Sequence, residues 1–249
     1  MNTYVYGVVA STHPRELDGV TGVGSPSAPV RAVEAGDLIA VVSDAPEQLR
    51  AKRRDLLAHE AVLERLCAQG ATLPMQFGIV GQGDAAVAEE VSRNAQGYSR
   101  LLDELADRVE INVKARHLED AVLQHVLLNN DALRRRNEQM QREGGGTYDE
   151  RLQFGEQVSE AVQAREGQDS KTIIDALAPF AVRHREGPAV DGAFVNASFL
   201  VERSDVEAFD AAVTELSNTW AELFELRARG PLPPYSFTDP AEAGAARTR

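Results

Sequence analysis

The sequence contains one cysteine in 249 residues, Cys67. A single thiol excludes an internal disulfide framework and a cysteine-based structural zinc site. Cys67 has no sequence neighbour that would obviously activate it, and it reads as a buried thiol. Long apolar runs are lacking too. No stretch approaches the roughly 18–20 apolar residues of a transmembrane helix. The opening residues, Met1-Asn2-Thr3-Tyr4-Val5-Tyr6-Gly7, lack the basic-then-apolar order of a signal peptide. A soluble, cytoplasmic chain with no membrane partner is the expectation. Basic residues are in deficit: 26 Lys and Arg stand against 39 Asp and Glu, a net charge of -13. That balance argues against a general nucleic-acid binder, which needs a basic footprint. The deficit is uneven, with a net of -4 over residues 1–116 and -9 over residues 117–249.

Motifs of catalysis are also missing. The 5 histidines are His13, His59, His117, His125 and His184, and none has a His-x-Glu or His-Glu-x-x-His spacing. His117 and His125 can share one side of a helix, a weak pattern for a metal. Gly78-Ile79-Val80-Gly81-Gln82-Gly83 lacks the Walker lysine and the third spaced glycine of a dinucleotide loop. No Gly-x-Ser-x-Gly elbow occurs. No catalytic residue, cofactor or metal is expected.

What is present is an ordinary globular composition, 43% hydrophobic and 26% charged, long enough for one or two domains. Tyr4–Val9 is rich in β-formers. Val30–Val33 and Leu38–Val42 flank Ala35-Gly36-Asp37 and predict a hairpin. Ser43-Asp44-Ala45-Pro46 has helix-start chemistry, and Leu49, Leu56, Leu63 and Leu66 extend a helical stripe from Glu47 to Gln69. Leu73–Val80 predicts an irregular strand, Asp84 caps a helix that breaks near Gly97, and Arg108–Arg116 alternates as a half-buried strand. An antiparallel sheet covered by helices on one face, of the ferredoxin-like kind, accommodates this order.

Beyond it, Leu118 to Arg142 reads as one helix. Tyr148–Arg165 and Ser170–His184 read as two more, with Gly144-Gly145-Gly146 turning the first pair into a hairpin. Gly192–Val201 predicts a strand, Ser204-Asp205-Val206-Glu207 a capping box, and Leu223–Arg229 a last strand. The expected class is α+β, with a ferredoxin-like domain over 1–116 and a second domain over 117–237. The second is helical over 117–187 and βαβ over 188–237. Residues 238–249 are expected to be disordered.

Two segments stand out, Leu73-Pro74-Met75-Gln76-Phe77-Gly78 and Gly230-Pro231-Leu232-Pro233-Pro234-Tyr235-Ser236-Phe237. Proline-stiffened segments lose little entropy on ordering and present aromatic anchors. Leu73, Pro74, Met75, Gln76, Phe77, Gly78, Pro231, Pro233, Pro234, Tyr235 and Phe237 are therefore candidate partner-binding residues. Packing of the same residues onto their own domain is the alternative.

These blocks carry a resemblance. Tyr4–Val9, His59-Glu60-Ala61-Val62-Leu63 with Leu73–Gly78, the charged strand bearing Glu110 and Lys114, Phe199-Leu200-Val201, and the terminal proline segment together resemble the gas vesicle protein L/F family. His59, Glu110 and Lys114 match its motif positions. Gln76 stands where the family commonly has arginine, and Leu232 where it commonly has tryptophan. The resemblance implies a non-enzymatic accessory or minor structural protein located at the gas vesicle. It implies contact with the hydrophobic shell protein and other accessory proteins, promoting nucleation or keeping subunits soluble. It also implies a modified ferredoxin-like N-terminal domain and a C-terminal α+β domain with long helices. Two other classes are weighed: a ferredoxin-like small-molecule enzyme or sensor, with His59, Glu110 and Lys114 converging in a pocket, and RNA stacking on Tyr4 and Tyr6.

Overall fold

The computed structural model describes residues 1–239; the expected tail lies outside the described residues from 240 on. The described residues form two compact units, 1–110 with 230–239, and Ile111–Arg229. This grouping differs from a cut at 116. The proline segment belongs to the first unit, because it packs on that unit's strands and first helix.

The first unit contains β1 (Thr3–Ala10), β2 (Arg31–Ala35), β3 (Leu38–Asp44), α1 (Arg53–Cys67), β4 (Thr72–Pro74), β5 (Val80–Gly81), α2 (Asp84–Arg93) and α3 (Ala95–Leu105). Its five-stranded sheet has the order β2-β3-β1-β4, with β5 also paired to β1. The β2–β3 hairpin forms as expected, closing Ala35 against Leu38 with Gly36 at φ 70°. Gly7 lies at a register irregularity of β1, where a Cβ would stand 2.8 Å from the Leu73 carbonyl.

Helices cover both faces of this sheet, not one. Tyr4 meets His59 of α1, while its neighbour Thr3 donates from Oγ1 to Asp84 at the start of α2, 2.6 Å away. Successive residues of a strand point to opposite faces. The near-continuous apolar run of β1, buried from Thr3 to Val9, is what a doubly covered strand needs.

Two expected helix boundaries move, for local reasons. Ser43 bonds to the Tyr6 hydroxyl at 2.8 Å and Asp44 pairs with Arg31 at 2.9 Å. Neither caps a helix, and α1 starts only after Lys52. The break between α2 and α3 falls at Asn94, whose amide binds the Glu90 carbonyl, and Gly97 lies inside α3. Cys67 is half-buried.

β6 (Arg108–His117) leads into the second unit, which holds α4 (Glu119–Asn129), α5 (Asp131–Arg142), α6 (Tyr148–Leu177), β7 (Arg183–Glu186), β8 (Val195–Glu202) and α7 (Val206–Thr219). β9 (Phe224–Leu232) leads back out. The four-stranded sheet has the order β7-β8-β6-β9. Its core joins Ile111, Val113, Phe199 and Val201 to helix residues such as Val126, Ile173, Leu177 and Phe209.

The helices divide differently from expectation. Asn130 accepts from the Ala132 and Leu133 amides, 3.1 Å each, and starts α5 as a helix separate from α4. The two helices expected over 148–184 are one 30-residue helix with a Thr147/Glu150 capping box. Arg165 and Asp169 are i,i+4 partners and bridge the expected gap. Pro179 sits in a 3-10 turn after the helix, and β7 occupies the place of its expected end. Ser204 bonds Asp205 at 3.0 Å and makes no capping box. β9 continues through Gly230 and Pro231, which an edge strand tolerates.

Candidate functional site

The family-like blocks of the first unit converge on one side chain. α1 places His59 under β1, 2% exposed. The Tyr4 hydroxyl lies 2.9 Å from Nδ1, and the Met75 carbonyl and the Tyr235 hydroxyl each lie 3.1 Å from Nε2. The Gly78 amide donates to the Tyr4 oxygen at 3.3 Å. Tyr4 therefore gives its proton to Nδ1, and Nε2–H faces Met75 and Tyr235. Aromatic edges close the arrangement: Phe77 has ring centroids 5.7 Å from His59 and 5.9 Å from Tyr4, and Tyr6 stacks on His59.

Glu110 anchors the same terminal segment. Its carboxylate, on a residue 4% exposed, accepts from the Ser236 amide at 2.9 Å and the Ser236 hydroxyl at 2.8 Å. Phe237 is 1% exposed, and Pro233 and Pro234 are buried, while Pro231 is exposed and Leu232 half-buried. Leu73 and Pro74 pair in β4 with Val8 and Gly7. Met75 and Phe77 are half-buried, and Gln76, Gly78, Ile79 and Val80 are exposed. Thus the central loop has an inward row that holds it and an outward row that faces solvent. Lys114 is not part of this cluster; it is an exposed residue of β6 in the second unit. Tyr4 and Tyr6, weighed as a stacking surface for bases, are both 0% exposed.

Sequence reading missed Tyr4 and Ser236 as partners of His59 and Glu110, although both lie inside the quoted blocks. It also missed a buried network in the second unit. Asp169 Oδ2 accepts from His117 Nε2 and Arg165 Nε, each at 2.8 Å, and Oδ1 accepts from Arg165 Nη2 at 2.7 Å. Arg165 Nη1 also meets His125 Nε2 at 2.7 Å. His117 ends β6 and His125 lies in α4, so the two do not share a helix as their spacing suggested. His117 meets Asp169 and His125 meets Arg165, and those two partners are themselves paired.

Burial governs the ionisable groups of the first unit. Desolvation pushes the Tyr4, Tyr6 and Tyr235 hydroxyls upward and the His59 and His13 imidazoles downward from 6.5. His13 is fixed by accepting the Arg15 amide at Nδ1 and meeting the Leu66 carbonyl through Nε2. The unfolded chain takes up protons at both histidines as pH falls through 6.5, whereas the folded chain does so only lower. Their contribution to stability is full above that pH and is lost as pH falls. Urea midpoints measured between about pH 7.5 and 5.5 are expected to decline with acid, with a shallower slope in His59→Gln.

Comparison with known proteins identifies the family. The description "Gas vesicle synthesis protein GvpL/GvpF" matches residues 2–239. The chain belongs to the gas vesicle protein L/F family. It is 46% identical over 239 residues to a gas vesicle protein F of a Streptomyces species, covering 96% of this chain and all of that one. A gas vesicle protein L of the same strain is 28% identical, with 99% and 96% covered. The crystal structure of GvpF from Anabaena sp. PCC7120 superposes with a TM-score of 0.81 at 25% identity, covering 96% of this chain and 98% of that one. Family membership supports an accessory role in gas vesicles. Among the described residues, no helix is long and apolar enough to cross a membrane.

Proposed function

We propose that this chain is a non-enzymatic assembly component, located at the gas vesicle, that contacts the hydrophobic shell protein through its first unit. The carrying observation is the loop from Gln76 to Val80. Ile79 and Val80 are 46% and 40% exposed, yet their backbone is held: the Val5 amide donates to the Ile79 carbonyl at 3.0 Å, and Val80 pairs with Tyr4. A rigid loop presenting apolar side chains binds without losing much conformational entropy. β2, at the opposite edge of the sheet from β5, offers a separate strand-pairing surface. Shielding exposed apolar strands of the shell protein keeps them from pairing with each other, and the net charge of -13 keeps such a complex dissolved. The same reading takes the first unit as a modified ferredoxin-like fold. It also assigns binding of other accessory proteins to the helices between Leu118 and Val162.

The enzyme alternative required His59, Glu110 and Lys114 in one pocket. Both His59 ring nitrogens are engaged by neighbouring groups, and Glu110 is engaged by Ser236. These contacts support the structural reading of the motif.

Co-expression with a tagged gas vesicle shell protein tests the proposal. Ile79→Asp is expected to reduce recovery about tenfold, as loss of an interface anchor does, with an unchanged melting temperature. Undiminished recovery of this variant would remove the loop from the interface. No retention of the intact chain would remove direct contact altogether.

A further inference from the structure

The second unit separates its charges by face. Over residues 111–229 the sequence has 14 basic and 21 acidic side chains, but the sheet's outer face has the opposite balance. Ile111, Val113 and Ala115 of β6 enter the core, as do Phe224 and Leu226 of β9. The intervening Lys114, Arg116, Arg227 and Arg229 therefore point away from the helices, and all four are exposed. Asn112 binds Asn196 and Ser198 across the same outer face, at 3.1 and 3.2 Å. Register with β8 places Arg183 opposite Leu200 and Arg185 opposite Ser198, which adds both arginines to that side. Glu202 and Glu225 are acids of this face, and the same alternation adds Glu110 of β6, which Ser236 engages.

Two further observations give the patch a shape. Lys114, Arg116, Glu225 and Arg227 line a cleft of about 140 Å³. Lys114 and Arg116 are two residues apart on a strand, about 7 Å, the interval between alternate side chains of an extended peptide laid over the face. No outer-face residue is aromatic, whereas sheet faces that bind single-stranded nucleic acid stack bases on aromatic rings.

We propose that the outer face along β6 and β9 binds an extended acidic segment of a partner protein, with alternate carboxylates over Lys114, Arg116 and Arg227. The Glu225–Arg227 pair at 3.0 Å is exposed and weak, so an incoming carboxylate readily shares Arg227.

The test uses the full chain and a fluorescein-labelled peptide of alternating Glu and Val, read by anisotropy. Salt-sensitive binding is expected, together with loss of binding when Gln replaces each Glu of the peptide. The double variant Lys114→Glu with Arg227→Glu is expected to bind about tenfold more weakly at an unchanged melting temperature. Equal binding of the Gln peptide, or an unaffected double variant, overturns the proposal. So does tighter binding of a poly-dT oligonucleotide, which would assign the face to nucleic acid. A salt-sensitive dimer dissolved by the same two substitutions would assign it to a second copy and overturn the proposal as well.

Discussion

His59→Ala is expected to destabilise the first unit by about 3–5 kcal/mol, read as the shift of its urea transition in tyrosine near-ultraviolet circular dichroism. The imidazole is 2% exposed and lies among Tyr4, Tyr6 and Phe77. Its removal leaves a cavity that surrounding rings cannot readily fill. The larger effect is polar: the Tyr4 hydroxyl, the Met75 carbonyl and the Tyr235 hydroxyl all lose a partner at once. Each buried group left unsatisfied costs about 1–3 kcal/mol. His59→Gln retains an acceptor and a donor and is expected to lose less. A loss under about 1 kcal/mol in the alanine variant would show that these bonds do not hold the unit. Because Met75 and Tyr235 belong to the two unusual segments, the variant is also expected to raise amide exchange around Met75 and Ser236.

Asp169→Ala is expected to cost the second unit a similar amount, about 3–5 kcal/mol. The side chain is 4% exposed and receives three hydrogen bonds, two from Arg165 and one from His117. Removing the carboxylate strands a guanidinium whose side chain is 18% exposed. An unpaired buried charge is far more costly than the net worth of the pair. Arg165 also lies 5.9 Å over the ring of Trp220, and the chain has 1 tryptophan. Tryptophan fluorescence therefore reports this unit's urea transition directly. Asp169→Asn keeps the shape and one acceptor and is expected to fall between the two. An alanine variant with an unshifted transition would show that this network does not hold the second unit.

The two variants also separate what was legible from what was not. His59 was visible in sequence because it lies on the apolar stripe of its helix, and stripes follow from the helical period. Its partners were not visible, since Tyr235 stands 176 residues away and nothing in periodicity encodes which distant hydroxyl meets a ring nitrogen. The polar stretch around Gly167 predicts a break within the long helix α6. The structure carries it through, with Asp169 tied to both Arg165 and His117, a tertiary contact overriding weak local preference. Ser43 and Asp44 looked like caps by type, and both were taken by longer-range partners, Tyr6 and Arg31. A residue type advertises what it can bond, and packing decides which bond it makes.

By itself, the sequence determined the class of the protein. One cysteine, no spanning apolar run and a net charge of -13 set the limits, and strand alternation with helical stripes set the mixture of elements. Five ordered motif blocks set the family. Tertiary structure decided the grouping. It returned the Gly230–Phe237 segment to the first unit through Tyr235, Ser236 and Phe237, covered both faces of the first sheet, and set the strands bearing Lys114 and Arg227 side by side. Those outcomes depend on contacts between residues far apart in the chain, where burial and hydrogen bonding offset the entropy of closing long loops, and composition and local period contain no record of them.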